Sequence, residues 1–113
     1  MLKAPNRLTK DRDIEAVYKR GRSFYMGDLA LRLAPNKLPA ARLAVIVSLK
    51  VSKKAVKRNL LKRRLREIIR REVIPHCPNG FDGIILTKAG LLNLPFTELK
   101  SQTLRLFKKA GLI

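Results

Sequence analysis

Few side chains in this 113-residue chain have the types and spacing of a catalyst. There are eight acids and one histidine. Asp11, Asp13 and Glu15 lie close together, and clustered carboxylates are what a metal nuclease uses to hold its ion. The same three acids also open a helical segment, where carboxylates complement the positive end of the helix dipole. His76 and Cys77 are neighbours in a loop bracketed by Pro75 and Pro78. Nucleophilic catalysis needs such a pair oriented across space with a third partner, so adjacency alone argues for a loop pair. The sequence has no P-loop, no dinucleotide-binding glycine pattern and no zinc-ligand spacing. It assigns no catalytic residue and no protein-held metal.

What the chain does concentrate is positive charge. Residues 53–71 read KKAVKRNLLKRRLREIIRR, ten cations in nineteen residues with Glu67 as the single acid. Projected at about 100° per residue, Leu61, Leu65, Ile68 and Ile69 form a compact apolar arc with Val73 at its edge. Arg58, Lys62, Arg66 and Arg70 are spaced four apart and stack along one flank, with Asn59 and Arg63 beside them. Lys53, Lys57, Arg64 and Arg71 lie roughly opposite the core. Arg58 and Lys62 share the angular range of Leu65 and Ile69, so the N-terminal half of this helix projects past the core or lines an opening at its edge. A merely solvated face would mix signs, because like charges at i, i+4 weaken a helix. Phosphate is the natural counter-charge. If six of these cations neutralised phosphates, affinity would fall by roughly three decades between 50 and 200 mM salt. Arg also offers planar forks and stacking surfaces, and Asn59 can both donate and accept.

The whole chain carries a formal net charge of +18, while 46% of its residues are hydrophobic. This describes a folded basic protein with one modest core in one domain, not a disordered tail. Nucleic acid is the leading partner and an anionic membrane surface the second. The longest apolar run, around residues 43–49, is too short to span a bilayer, and the N-terminus lacks the apolar stretch of a signal peptide. The single Cys77 has no intrachain partner, which fits a reducing compartment and a cytoplasmic protein.

The elements that must position the cations follow from periodicity. A first helix is expected over residues 10–20, capped by Thr9 and ended by Gly21, with Ile14, Val17 and Tyr18 on one stripe. Strands are expected in DLALRLA and in RLAVIVSLK, where Leu43, Val45, Val47 and Leu49 share one face and Ala44, Ile46, Ser48 and Lys50 the other. Ser52 is the expected N-cap of the basic helix and Pro75 its stop. FDGIILTK reads as another strand. Thr97 would cap a final helix ending at Gly111, with Leu99, Thr103, Leu106, Phe107 and Ala110 along one side. A further strand after the first two completes the order α, β, β, β, α, β, α. Phe24 and Phe107 are assigned to the core. Helices packed on a small sheet are the expected architecture.

The stretch AVKRNLLKRRLRE, residues 55–67, resembles the signature helix of the bacterial ribonuclease P protein component. PNRLTKDRDIEAVYKRGRS resembles that family's N-terminal segment, RLAVIVSLKVSKKAVKRN its strand leading into the basic helix, and PNGFDGIILTKAG the strand that follows. The similarity extends over about residues 6–109. It implies an α/β (α+β) two-layer sandwich, a mixed sheet of about four strands with three helices in the order αβββαβα. It also implies a left-handed β-α-β crossover, against the usual right-handed rule.

The resemblance further implies a protein subunit of an enzyme that removes the 5′ leader of precursor tRNA. The catalytic subunit would be an RNA, which holds the Mg²⁺ ions. Arg58 and Asn59 match the first two positions of the family's Arg-Asn-Arg motif, and Lys62, Arg63 and Arg66 match basic positions after it. With Lys53, Lys54 and Lys57 these are the expected contacts to the catalytic RNA. The leader cleft would lie between the sheet and the first helix, with Ile14, Tyr18, Arg32 and Lys50 along it. By spacing alone, Ile14, Val17 and Tyr18 are a core face. Two positions depart from the pattern: Leu60 stands where the family usually has Arg, and Ile14 where it often has an aromatic residue. Leu60 falls outside the apolar arc and is expected to be exposed or against a partner, with Arg64 compensating for the missing charge. A structural RNA-binding protein such as a small ribosomal component, or a nonspecific nucleic-acid-binding protein, would share the composition but not the ordered motifs. No small-molecule substrate and no membrane partner is expected.

Overall fold

The computed structural model describes residues 2–113. Helix α1 (Asp11–Arg20) leads into strands β1 (Arg22–Met26), β2 (Leu29–Pro35) and β3 (Arg42–Ile46). Helix α2 (Ala55–Ile68) continues through a π-helical turn, Ile69–Val73, before β4 (Phe81–Thr87). A short 3-10 segment, Ala89–Asn93, then connects to helix α3 (Phe96–Lys109). The order is the expected αβββαβα.

The four strands form one mixed sheet in the order β1-β2-β4-β3. β1 and β4 pair antiparallel with β2, and β3 runs parallel to β4. A parallel pair needs a crossover, and α2 supplies it. The third strand lies ahead of the two read from the sequence rather than after them. RSFYM lacks apolar alternation because β1 is an edge strand, mostly exposed.

Strand periodicity divides the sheet into two faces. On one, Leu29, Leu31, Leu43, Val45 and Ile85 pack against Leu61, Leu65, Ile68 and Ile69 of α2 and Leu99, Leu106 and Phe107 of α3. Phe24 is only half-buried against this core, whereas Phe107 is fully enclosed. On the other face a smaller cluster forms from Leu8, Val17, Ala34 and Ile84, with Ile14, Ala44, Ile46 and Leu86 packed against it.

Three helix starts differ from expectation. The N-caps are Lys10, Lys54 and Pro95, none with a side-chain capping bond, so Thr9, Ser52 and Thr97 do not fill that position. Ser52 acts one step earlier: its Oγ accepts from the Lys54 amide at 3.1 Å and shapes the turn that feeds α2. Gly111 does end α3 as read, at φ 78°, with Leu112 N–H on Phe107 O and Gly111 N–H on Lys108 O. Gly21 ends α1 for another reason. Its backbone is extended, and a Cβ there would come 2.3 Å from Val17 O and 2.9 Å from Arg32 Cγ.

The GFD segment is an anchor. Asp82, nearly buried, accepts from Arg42 Nε at 2.8 Å and Nη2 at 2.7 Å, and from Asn36 Nδ2 at 2.7 Å. Arg42 Nη1 reaches on to Asp13 Oδ2 at 3.3 Å. One carboxylate thus ties the β2–β3 connection, β3, β4 and the first turn of α1 together, and Asp13 serves this tie.

Candidate nucleic-acid interface

Helix α1 crosses the second face of the sheet over β2 and β4. Its start is held at β3 through Asp13 and Arg42, and its end at β2 through Arg32. Arg32 Nε donates to Val17 O at 3.2 Å and to Tyr18 O at 3.0 Å, Nη2 also donates to Tyr18 O, and Nη1 donates to Ser23 Oγ at 2.7 Å. A cation at the last carbonyls of a helix satisfies acceptors the helix cannot fill itself. Arg32 thus holds the end of α1 against β2, with part of its guanidinium committed to these bonds.

α1 covers only part of this face. In the sheet register Tyr25, Ala30, Leu86 and Ile46 line up across all four strands in one row next to the row on which the helix sits. Ala30, Leu86 and Ile46 are half-buried, and Tyr25 is 62% exposed. At the β3 side a cavity of about 380 Å³ opens, lined by Leu8, Ile14, Ala44, Ile46 and Arg66 among others. Ile14 therefore lies in the groove. Tyr18, on the same helix, exposes 42% of its surface, because its backbone rather than its ring is what Arg32 fixes. Lys50 does not line the sheet. β3 ends at Ile46, and residues 48–51 form a turn closed by Val51 N–H on Ser48 O, with Leu49 and Lys50 exposed. The alternation read through Lys50 overshoots by four residues because Val47 and Val51, both buried, keep the apolar pattern going through a turn.

The basic helix presents two flanks. Asn59, Lys62, Arg63 and Arg66 line a second cavity of about 290 Å³. Arg66 borders both this cavity and the sheet-side groove. Arg58 is half-buried and donates from Nη1 to Ser52 O at 2.8 Å, which commits part of its fork to the turn before the helix. Lys53 and Lys54 stand exposed in that turn, and Lys57 faces the other flank, towards Ala89–Asn93. Leu60 is exposed, as its place outside the apolar arc requires.

These charges are not neutralised internally. Glu67 holds Arg70 Nη2 and Arg71 Nε, each at 2.6 Å, and Glu72 holds Lys100 at 3.0 Å, all towards the C-terminal end of the helix. The Glu67 carboxyl is drawn down to about 2, chiefly by its hydrogen bond with Arg70. Among the described residues, none of Lys53, Lys54, Lys57, Arg58, Lys62, Arg63, Arg64 and Arg66 has a carboxylate within 4.0 Å. The first turn of α2 contains no acid, so its cations add to the positive end of the dipole. Such a field attracts anions.

Among the described residues no three His, Cys, Asp or Glu side chains gather around a common point. Cys77 is half-buried rather than exposed, its Sγ on Ile74 O at 3.6 Å, and burial pushes the thiol above its ordinary value. No helix among the described residues is long and apolar enough to cross a membrane.

The ribonuclease P protein-family model matches residues 2–111. The ribonuclease P protein component of Synechococcus sp. strain JA-2-3B'a(2-13) is 38% identical, covering 100% of this chain and 87% of its own. The solved ribonuclease P protein of Thermotoga maritima superposes at a TM-score of 0.82 with 31% identity, over 91% of this chain and 96% of that one. That of Staphylococcus aureus superposes at 0.87 with 26% identity, over 97% and 98%. Matched by the family model over nearly its whole length and by relatives and solved structures over most of theirs, the chain belongs to the ribonuclease P protein family and is a protein component of that endoribonuclease.

Proposed function

We propose that the chain grips two RNA elements at once. The flank Asn59, Lys62, Arg63 and Arg66, with Lys53, Lys54 and Arg58 at its start, binds phosphates of the catalytic RNA. The groove between α1 and the open row of the sheet holds the 5′ leader of precursor tRNA. The observation that carries this reading is Arg66, which stands between a cationic cavity and a largely apolar one and lines both. A single strand needs both kinds of surface: cations for its backbone, and apolar or aromatic faces for its bases. Tyr18, Tyr25, Ile14 and Ile46 supply the second kind; Tyr25 and Ile46 were missed in the sequence because their face is set by strand register.

Bond cleavage is assigned to the RNA subunit. Mg²⁺ takes several oxygen ligands, and among the described residues no three His, Cys, Asp or Glu side chains gather around one point. In this reading the metal belongs to the RNA, and the protein supplies charge, shape and substrate affinity. A cytoplasmic location belongs to the same reading.

The test is cleavage of a 5′-extended precursor tRNA by bacterial ribonuclease P RNA at low Mg²⁺, with and without the protein. The protein should promote cleavage and tighten binding of precursor over mature tRNA. Arg66→Ala should reduce both effects. Equal affinity for precursor and mature tRNA would refute the leader groove. A structural ribosomal protein would show neither effect.

A further inference from the structure

The other flank of α2 has features that phosphate binding does not explain. Val56 and Leu60, four residues apart and so stacked on one line, expose 81% and 41% of their surfaces within the most cationic segment of the chain. The line runs into a notch of about 360 Å³ between α2 and the segment Ala89–Asn93, whose lining includes Lys57, Leu60, Arg64, Leu92 and Asn93. A single exposed leucine is ordinary. An apolar strip leading into a notch between two cations that no carboxylate among the described residues meets is not.

We infer that this strip and notch take unstacked bases of the catalytic RNA, with Lys57 and Arg64 on the adjoining phosphates. A nucleotide carries an apolar face and an anionic group side by side, and this flank alternates the matching surfaces. Asn93, exposed at the notch, can donate to and accept from a base edge. A second copy of the chain is a poor occupant, because it would bring a further charge of +18 against the same face. Leu60 then exchanges a phosphate contact for a base contact. The inference rests on the chain binding the catalytic RNA, and adds a site on the flank facing away from the Asn59–Arg66 groove.

The test separates apolar from ionic contributions by salt dependence. Binding to bacterial ribonuclease P RNA, without precursor tRNA, is measured across a range of KCl. Leu60→Ala should weaken binding roughly three- to tenfold at every salt concentration and leave the slope of log affinity against log salt unchanged. Lys57→Ala should flatten that slope by about one phosphate contact, and Leu60→Arg should steepen it. As a second measurement, Leu60→Cys in a Cys77→Ser background should be alkylated rapidly in the free protein and slowly in the RNA complex. Leu60→Ala binding as tightly as the parent, or unchanged alkylation in the complex, would overturn the site. So would an effect that appears only when precursor tRNA is added, or protection conferred by an acidic protein and not by the RNA. Failure of the unsubstituted chain to bind the RNA at all would instead refute the proposed function.

Discussion

Replacing Asp82 by alanine should loosen the tie that joins the β2–β3 connection, β3 and β4 and reaches α1 through Arg42. The Asp82 side chain is 9% exposed and accepts three hydrogen bonds of 2.7–2.8 Å, two from Arg42 and one from Asn36. Removing one partner of a buried ion pair costs about 3–5 kcal/mol, because the other charge is left in a poorly solvated place. Here a fifth of the Arg42 side chain reaches water, and Asp13 remains at 3.3 Å, so part is recovered and the expected cost is about 2–4 kcal/mol. For a urea m-value of about 1–3 kcal/mol/M, the unfolding midpoint should fall by on the order of 1–2 M. Asp13→Ala removes only the looser contact and should cost about 1 kcal/mol or less. If the Asp82→Ala midpoint equals that of Asp13→Ala within error, the Asp82 carboxylate is not the tie described.

Four other outcomes follow from the same coordinates. Gly83→Ala places a Cβ 2.6 Å from Leu43 Cδ2 and 3.2 Å from Leu33 Cδ2, and overpacking there should cost about 1–3 kcal/mol in chemical denaturation. The Glu67 carboxyl, depressed to about 2, stabilises the fold at pH values above the ordinary carboxyl range and loses that contribution as pH falls through about 2. Glu67→Gln should therefore show a smaller drop in urea midpoint than the parent between about pH 5 and pH 2. Arg32→Ala strips Tyr18 O of its side-chain donors while Val17 O keeps the Gly21 N–H, and the amides at the end of α1 should exchange faster with solvent while those of α2 do not. Single alanine substitutions of Lys62, Arg63 and Arg66 should each flatten the salt dependence of catalytic-RNA binding by about one phosphate contact.

The sequence by itself determined the charged helix. Its apolar arc, Leu61, Leu65, Ile68 and Ile69, is buried, as helical period requires, and with so few acids in the chain its carboxylate pairs are confined to Arg70 and Arg71 among the described residues. It also determined the final helix and the cores of β2 and β4, whose alternation and Gly111 stop are local signals. Tertiary structure alone decided where the groove lies and which side chains are free to use it. Arg32 reads as an available cation, yet part of its guanidinium is committed to carbonyls fourteen or fifteen residues away. Tyr25, Ala30, Leu86 and Ile46 share a row only because the register of four strands aligns them. Lys50 leaves the sheet because the chain turns while its apolar pattern continues. Local periodicity fixes which face a residue takes on its own element; what that face meets depends on pairings between distant segments, which no local pattern encodes.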